Sequence, residues 1–204
     1  MDTIPNDAID VPFTDDIELP NNFVLDDDSN GALPNVYRFD NVVAGSYSIE
    51  QTPAVPSCYD VAFTCSEDGV GTTSSTAGSV ASIGLDDNEN VTCAFTMTAQ
   101  GTLQIVLDTV PDDAVNVLFT HNVGSSTQFS LDDDTDASLS NTQTFSDIFV
   151  GSYRVSSSLP RHYRVNIVCN DPDGGTTVDL DTRRINADID CGENVVCKLS
   201  LIHI

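Results

Sequence analysis

The chain has 204 residues and a formal charge of −25 at pH 7, since 32 acidic side chains face only 7 Lys and Arg residues. A surface this acidic repels nucleic-acid phosphates and anionic membranes, so we expect no nucleic-acid partner and no membrane insertion. Because 40% of the residues are apolar and alternate regularly with polar ones, intrinsic disorder is not expected.

Taken in order, the elements of the chain occur twice. Residues 23–47, FVLDDDSNGALPNVYRFDNVVAGSY, return as FSLDDDTDASLSNTQTFSDIFVGSY at residues 129–153. A period this long indicates two copies of a whole domain. We predict domains at 1–100 and 101–204, each of a size that supports one hydrophobic core.

Alternation of apolar and polar residues predicts strands in both copies, and no segment has helical periodicity. Many short strands separated by turn residues predict an all-β chain with one β-sandwich per copy. Each predicted strand is named here by two of its residues. In the first copy these are Val11 and Phe13, Phe23 and Leu25, Tyr37 and Phe39, Tyr47 and Ile49, Tyr59 and Val61, and Val91 and Cys93. In the second copy they are, in the same order, Val117 and Phe119, Phe129 and Leu131, the neighbours Thr144 and Phe145, Tyr153 and Val155, Tyr163 and Val165, and Val195 and Cys197.

The copies differ at their beginnings. The second copy starts with the strand pattern GTLQIVL at residues 101–107, and the first copy has only Met1 in front of the equivalent segment. We therefore predict that domain 1 lacks its first strand, which leaves a sheet edge unpaired. Either the strand lies upstream in a longer array, or a neighbouring subunit donates it.

The segments GTLQIVLDTVPDDA, FSLDDDTDASLSNTQTF, VGSYRVSSSLP and the closing ENVVC resemble the prealbumin-like, collagen-adhesin B-type repeat domains of bacterial surface proteins. The resemblance covers essentially the whole chain. It implies two tandem prealbumin-like (immunoglobulin-like) β-sandwich domains that serve as a stalk, spacer or filament module outside the cell. Many members of that family carry a Lys to Asn isopeptide bond between the first and last strands. Here the single lysine, Lys198, lies in the last strand, so we predict no isopeptide bond.

Four of the six cysteines occupy equivalent positions in the two copies. We predict the disulfides Cys65–Cys93 and Cys169–Cys197, one in each domain, against the alternative of buried free thiols. Cysteine pairing of this kind is typical of exported proteins and favours an extracellular or cell-surface location. Cys58 and Cys191 have no repeat equivalent, and they form an interdomain or intersubunit disulfide or remain free.

Both copies contain an acidic turn. Asp26, Asp28 and Asn30 have the D-x-D-x-N spacing of the first half of a calcium loop, and Asp132, Asp134 and Asp136 repeat it. Oxygens on alternate residues can converge on Ca²⁺, the one cofactor that the sequence indicates. The alternative is a solvated hairpin turn in which these side chains cap backbone amides.

No catalytic motif is present in the sequence. His121, His162 and His203 have no Ser or Cys partner in a motif context, and we predict that the protein is not an enzyme. The sequon Asn90-Val91-Thr92 is a weak candidate for glycosylation, since such triplets are common by chance.

The carboxyl-terminal KLSLIHI is the candidate donated strand. Leu199 and Leu201 complete domain 2, and Ile202 and Ile204 add apolar side chains beyond it, unless they only lengthen the final strand. Contacts between these residues and the next copy would give a head-to-tail homopolymer. We therefore predict a structural subunit of an extracellular bacterial filament or surface stalk, assembled by β-strand complementation. The alternative is an adhesin or carbohydrate-binding repeat module, which the absence of Trp disfavours.

Overall fold

The regular structure of the chain is β-strand throughout. The computed structural model describes residues 1–6, 9–28, 30–52, 55–68, 75–134, 136, 138–159 and 162–203. Within these residues no α-helix occurs, so none there is long and apolar enough to cross a bilayer. The prediction of an all-β fold is confirmed. The chain divides into two compact units, Met1–Ala99 and Gln100–Ile204.

Unit 1 is built from two sheets. One has the order β3-β2-β4-β7-β6, and in the other β8 lies between β1 and β5. The strands are β1 (Asp2–Ile4), β2 (Val11–Asp15), β3 (Asn22–Leu25), β4 (Gly45–Gln51), β5 (Tyr59–Glu67), β6 (Ser75–Ala77), β7 (Val80–Leu85) and β8 (Val91–Val110), of which β8 continues into unit 2.

The core of unit 1 forms where the inward residues of both sheets meet. Phe13 from one sheet is 1% exposed, and its ring centroid lies 5.1 Å from that of Phe95 on β8 in an edge-to-face arrangement. Phe63 on β5 contacts Phe13 as well, at 6.1 Å. Such aromatic contacts add about 0.5–1.5 kcal/mol each to the burial of the rings, and they fix unit 1 as a sandwich.

Unit 2 repeats the two-sheet arrangement with a more complete set of strands. One sheet has the order β10-β9-β12-β15-β14, and the other has β11, the second half of β8, β16 and β13. Buried Leu103, Ile105 and Leu107 of β8 face Val117 and Phe119 across its core. The strands are β9 (Asp113–His121), β10 (Gln128–Asp133), β11 (Thr142–Phe149), β12 (Gly151–Ser158), β13 (Tyr163–Asn170), β14 (Thr177–Asp179), β15 (Arg184–Ile189) and β16 (Asn194–His203).

One disulfide joins neighbouring antiparallel strands in each unit. Cys65 lies directly opposite Cys93 in the pairing of β5 with β8, and Cys169 lies opposite Cys197 in the pairing of β13 with β16. The Cα atoms are 4.0 Å apart in both bridges. Cys58 and Cys191 are also disulfide-bonded, and the described part of the chain holds no free cysteine.

We expect Cys169→Ala with Cys197→Ala to lower the free energy of unfolding of unit 2 by about 3–4 kcal/mol, because the bridge closes a loop between residues 28 apart. Urea unfolding followed residue by residue by NMR measures this loss. The pair Cys65→Ala with Cys93→Ala is the matched control and lowers only the stability of unit 1. An unchanged midpoint for unit 2 in the first variant would contradict the expectation.

Candidate functional site

The first strand of unit 2 is held between two others. Residues 102–110 of β8 pair in parallel with Asn194 to Ile202 of β16, and residues 100–106 pair antiparallel with β11. Both edges of this strand are therefore hydrogen-bonded. Its inward side chains, which include Leu103 and Ile105, are 0% exposed.

The equivalent place in unit 1 is filled over only three residues. Asp2, Thr3 and Ile4 of β1 pair in parallel with Thr96, Met97 and Thr98 of β8. Residues 91–95 of β8 pair with β5 on one side, and no described residue pairs with them on the other. We call this unpaired stretch the open edge. The sequence predicts that the first strand is absent from domain 1, and the structure places a three-residue remnant of it there.

The segment across from the open edge is not a strand either. Residues 36–43 are equivalent to β11, and the sequence predicts a strand through Tyr37 and Phe39, yet no regular strand forms there. That prediction is wrong, because β11 pairs with the first strand of unit 2, and residues 36–43 have no described strand to pair with. Val36 is consequently 70% exposed and Tyr37 41% exposed.

Burial of equivalent residues reflects the difference between the units. Val195 and Cys197 of β16 are 0% exposed, because the first strand of unit 2 covers them. Their equivalents at the open edge, Val91 and Cys93, are only partly buried. The open edge therefore combines unpaired backbone groups with accessible apolar side chains, which is the arrangement that favours addition of another strand.

Most of the carboxyl-terminal residues pack in unit 2. Leu199 and Leu201 are 1% and 0% exposed in its core, so the prediction that they contact another subunit does not fit this structure. β16 uses both side chains to close its own sandwich. The side chain of Ile202 is 42% exposed, although its backbone pairs with Val110 and Arg164 within unit 2. Ile204 lies outside the described residues.

The acidic turns are ladders of side chain to backbone hydrogen bonds. The amides of Asp28 and Asn30 donate to the carboxylates of Asp26 and Asp28, at 2.9 and 2.8 Å, and the amide of Ala32 donates to the side chain of Asn30 at 2.6 Å. The second copy repeats the ladder through Asp132, Asp134 and Asp136, whose Oδ1 atoms accept the amides two residues further on. Each carboxylate thus stabilises a turn.

The acidic turns also anchor the end of each first strand. The amide of Thr3 donates to Asp27 at 2.7 Å, and that of Thr109 donates to Asp133 at 2.7 Å. The carboxylates of Asp132, Asp134 and Asp136 do not converge as a cation site, since the described residues hold a single group of carboxylates with that geometry, elsewhere. In this structure the predicted calcium ligands of both turns accept backbone amides, and calcium binding by Asp26, Asp28 and Asn30 stays a prediction.

The converging group consists of Asp171, Asp173 and Glu193 in unit 2. One carboxylate oxygen from each lies within 4.8 Å of the others. Asp171 folds its loop by accepting the amides of Gly174 at 2.9 Å and Thr176 at 2.5 Å. Sequence reasoning missed this group, although the run D-P-D-G-G followed by D-x-x-E was a visible signal.

A glycine explains how closely this loop approaches its neighbour. A Cβ atom on Gly175 would lie 2.5 Å from a carboxylate oxygen of Asp188, so a side chain at position 175 would push the loop away. The Asp188 amide in turn donates to the Thr176 hydroxyl at 3.1 Å. The Gly-Gly pair therefore brings several carboxylates together.

Crowding of carboxylates shifts their pKa values in opposite directions. Burial alone would raise the pKa of Asp171, but the amides of Gly174 and Thr176 stabilise its charged form and hold that pKa far below its usual range. Burial raises the pKa of Glu193, and the negative charges of Asp171 and Asp173 add to the rise. Contact with Asp173 raises the pKa of Asp190.

His121 is a core residue whose ring nitrogens bond to its own loop. Its Nδ1 accepts the amide of Val123 at 3.2 Å, so the neutral ring carries its proton on Nε2, which lies 3.3 Å from the Ser126 hydroxyl. A ring that donates to a serine cannot remove its proton. The equivalent residue of unit 1, Asp15, accepts the amide of Ile17 in the same way, at 2.9 Å.

Two further predicted positions have local partners. Asn90, the sequon residue, donates its side-chain amide to Asp68 at 2.8 Å. Lys198 forms an ion pair with Asp108 at 3.1 Å, on the strand that pairs with its own.

Comparison with known proteins gives only distant likenesses. No family model and no curated protein matches the sequence. Among solved structures, the major pilin T3.2 of Streptococcus pyogenes has a TM-score of 0.38 at 11% identity, over 96% of this chain and 90% of that one. A C-terminal fragment of the pilus adhesin SpaC of Lactobacillus rhamnosus GG has a TM-score of 0.38 at 11% identity, over 97% and 89%. The TIE protein of Bacillus anthracis has a TM-score of 0.36 at 11% identity, over 97% and 35%. Likenesses this distant leave the function to be argued from the residues of this chain.

We expect acidification to destabilise unit 2 through His121. Burial lowers the pKa of this ring, so below the unfolded-state pKa of about 6.5 the unfolded chain binds a proton that the folded unit does not. Stability is therefore lost as the pH falls from about 6.5 towards the lower pKa of the folded state.

His121→Asn keeps an acceptor for the Val123 amide without titrating in this range. Thermal unfolding at pH 7 and pH 5 should show a larger drop for the wild type than for the variant. The difference between the two chains isolates His121 from the titration of the many carboxylates. Equal pH dependence in both would contradict the role given to this ring.

Proposed function

We propose that this protein is a structural subunit of an extracellular bacterial filament or surface stalk, which assembles head to tail by β-strand complementation at the open edge of unit 1. The observation that carries the proposal is the contrast between the two units. The same position holds a complete strand in unit 2 and a three-residue remnant, β1, in unit 1. The role is mechanical rather than catalytic.

The geometry of unit 2 defines the strand that the open edge accepts. In unit 2 the inserted strand is parallel to the last strand and antiparallel to β11, and it points alternate aliphatic side chains inward. A strand added to unit 1 therefore lies parallel to β8 and antiparallel to residues 36–43. Each aliphatic side chain that it buries contributes about 1.5–3 kcal/mol before the entropy of ordering is subtracted.

We assign the donated strand to the carboxyl-terminal end of a neighbouring copy, where the chain continues from the end of β16. The precedent lies within the chain, because the last strand of unit 1 continues without interruption as the first strand of unit 2 in β8. The continuation of β16 would enter the next copy in the same manner. Ile202 is exposed, whereas Leu199 and Leu201 stay in the core of their own unit.

The cysteines and the acidic surface support an extracellular location. Every described cysteine is disulfide-bonded, which requires an oxidising environment in most organisms. The repeat pattern and the sandwich architecture are consistent with a prealbumin-like, collagen-adhesin B-type domain in each unit. Negative charge keeps such subunits soluble before assembly.

Two grafted chains and one truncated chain test strand complementation. Placing GTLQIV before Met1 gives unit 1 its own strand, and we expect a monomer whose unit 1 unfolds at least about 5 °C higher. Placing GTLQIVL after Ile204 lengthens the donor, and we expect longer filaments. Deleting residues 202–204 shortens the donor and should reduce assembly, since it leaves Leu199 and Leu201 in place.

Negative-stain electron microscopy and analytical ultracentrifugation measure the assembly of each chain. In a control chain the amino-terminal graft carries Asn in place of its two inward aliphatic residues. This graft should neither stabilise unit 1 nor block assembly. If the intact chain and the carboxyl-terminal graft both remain monomeric, a neighbouring copy is not the donor and the proposal fails. Stabilisation of unit 1 by the amino-terminal graft alone would then assign the edge to an upstream segment.

Cys58 and Cys191 could add a covalent link to the assembly. The other four cysteines pair within their own units, so we propose that Cys58 and Cys191 form an interdomain or intersubunit disulfide. Mass spectrometry of a non-reduced digest should recover a peptide that joins the two residues. A non-reducing gel then distinguishes monomer from linked subunits, and two thiols titrating per chain would refute the bridge.

A further inference from the structure

The carboxylate group of unit 2 joins two separate segments. Asp171 and Asp173 belong to the loop that follows β13, and Glu193 belongs to the turn between β15 and β16. The turn is itself tied to the start of the first strand, because the Glu193 carbonyl accepts the amide of Thr102 at 2.8 Å. The group therefore lies where a loop, a turn and the edge of a sheet meet.

Glu193 is the unusual member of the group, because it is buried without enough partners. Its side chain is 9% exposed. One oxygen, Oε2, accepts the Asp190 amide at 2.9 Å, whereas Oε1 is fully buried and has no hydrogen-bond donor. A buried, unsatisfied charged oxygen costs about 1–3 kcal/mol or more, so a proton or a cation at this place is stabilising. Oε1 of Glu89 in the equivalent turn of unit 1 is also buried without a partner, but among the described residues only Glu193 has two further carboxylates converging on it.

No positively charged side chain in the described part of the chain supplies that partner. The ion pairs among the described residues are Arg38 with Asp40 and Lys198 with Asp108, and neither includes the carboxylate group. Asp190 adds further negative charge, since its carboxyl lies against Asp173. Carboxylates that share a site repel one another unless a proton or a cation lies between them.

We propose that unit 2 binds a calcium ion at Asp171, Asp173 and Glu193. Calcium takes oxygen ligands at about 2.3–2.6 Å, so ligands on opposite sides of the ion are about 4.6–5.2 Å apart. Oxygens within 4.8 Å of one another fit around such an ion with small adjustments. The exposed side of the group, at Asp173, leaves room for water molecules to complete the coordination.

Binding here has a structural consequence for unit 2. The ion would join the 171–176 loop to the turn that holds Glu193, and that turn donates the Gly192 amide to the Gln100 carbonyl at 2.8 Å. Calcium would therefore stabilise the first strand where it enters the sheet. Modules outside the cell bind calcium with dissociation constants of about 0.1–1 mM, which suits a site that is filled in extracellular fluid.

The full chain labelled with ¹⁵N and titrated with CaCl₂ after EDTA treatment provides the test. We expect saturable shifts of the amide signals of residues 171–176 and 190–193, with the same titration in MgCl₂ giving weaker binding by at least about tenfold, because Mg²⁺ demands shorter bonds and gives up water reluctantly. Calcium should also raise the unfolding temperature of unit 2.

Glu193→Gln keeps an acceptor for the Asp190 amide but removes a ligand charge, and it should weaken calcium binding by at least tenfold, or about 1.4 kcal/mol. Asp173→Asn is the second variant, since this exposed position should not affect folding. Glu89→Gln is the matched control, because Glu89 Oε2 accepts the Asp86 amide at 2.7 Å in the equivalent turn of unit 1. Asp134→Asn controls for the acidic turns. Both controls should bind calcium as the wild type does.

Three results would overturn the proposal. The first is calcium-induced shifts centred on residues 132–136, which would return the ion to the acidic turn. The second is weak shifts spread over all the acidic surface with no saturation, as a diffuse counterion atmosphere gives. The third is unchanged affinity in both Glu193→Gln and Asp173→Asn. The NMR spectra themselves show whether each variant is folded.

Discussion

Parallel pairing between the first and last strands is the contact that closes each sandwich. In unit 2 it runs from Thr102 against Asn194 to Val110 against Ile202, and it buries the apolar face of both strands. In unit 1 only β1 contributes, over three residues. Residues 36–43 depend on the same contact, because their equivalents in unit 2 form a strand against the first strand. One missing pairing thus accounts for an open edge, an irregular segment and exposed Val36 and Tyr37.

The acidic turns, which occur in both copies, stabilise the loops next to the first strands and so support this closure. Short carboxylate side chains cap successive amides, while the central Asp of each run holds a threonine at the end of the first strand. The tyrosine corners repeat as well, since the hydroxyls of Tyr47 and Tyr153 donate to the carbonyls of Val43 and Phe149. Side-chain bonds to the backbone therefore fix loop shapes that hydrophobic burial alone leaves undetermined.

Sequence reasoning succeeded where the two copies could be aligned. The alignment placed Cys65 and Cys93 at the same strand positions as Cys169 and Cys197, and alternation identified Phe13 and Phe119 as core residues. It did not reveal that Tyr37 and Phe39 stay irregular, because these residues alternate as a strand does and the difference lies in the neighbouring strand. Leu199 and Leu201, predicted both to complete domain 2 and to contact the next copy, serve only the first role in this structure, because pairing with β8 and β13 buries them.

Sequence reasoning missed the carboxylate group of unit 2 for a different reason. Its members come from two loops that the fold brings together, and spacing within one loop carries no information on the other. The D-x-D-x-D run suggests a calcium loop because its side chains are close in sequence, yet the Oδ1 atoms of Asp132 and Asp134 each accept a backbone amide. Burial of Glu193, which distinguishes a site from an acidic surface, is a property of packing alone.

The parallel arrangement of first and last strands decides how unit 2 responds to tension. A pull on its two ends acts along β8 and β16 in opposite directions, so the hydrogen bonds between them are loaded in shear and share the force. Strands loaded in this geometry do not peel apart by breaking one hydrogen bond after another. In unit 1 the same load falls on the three pairs that β1 makes. With fewer pairs to share the load, unit 1 should yield at a lower force than unit 2.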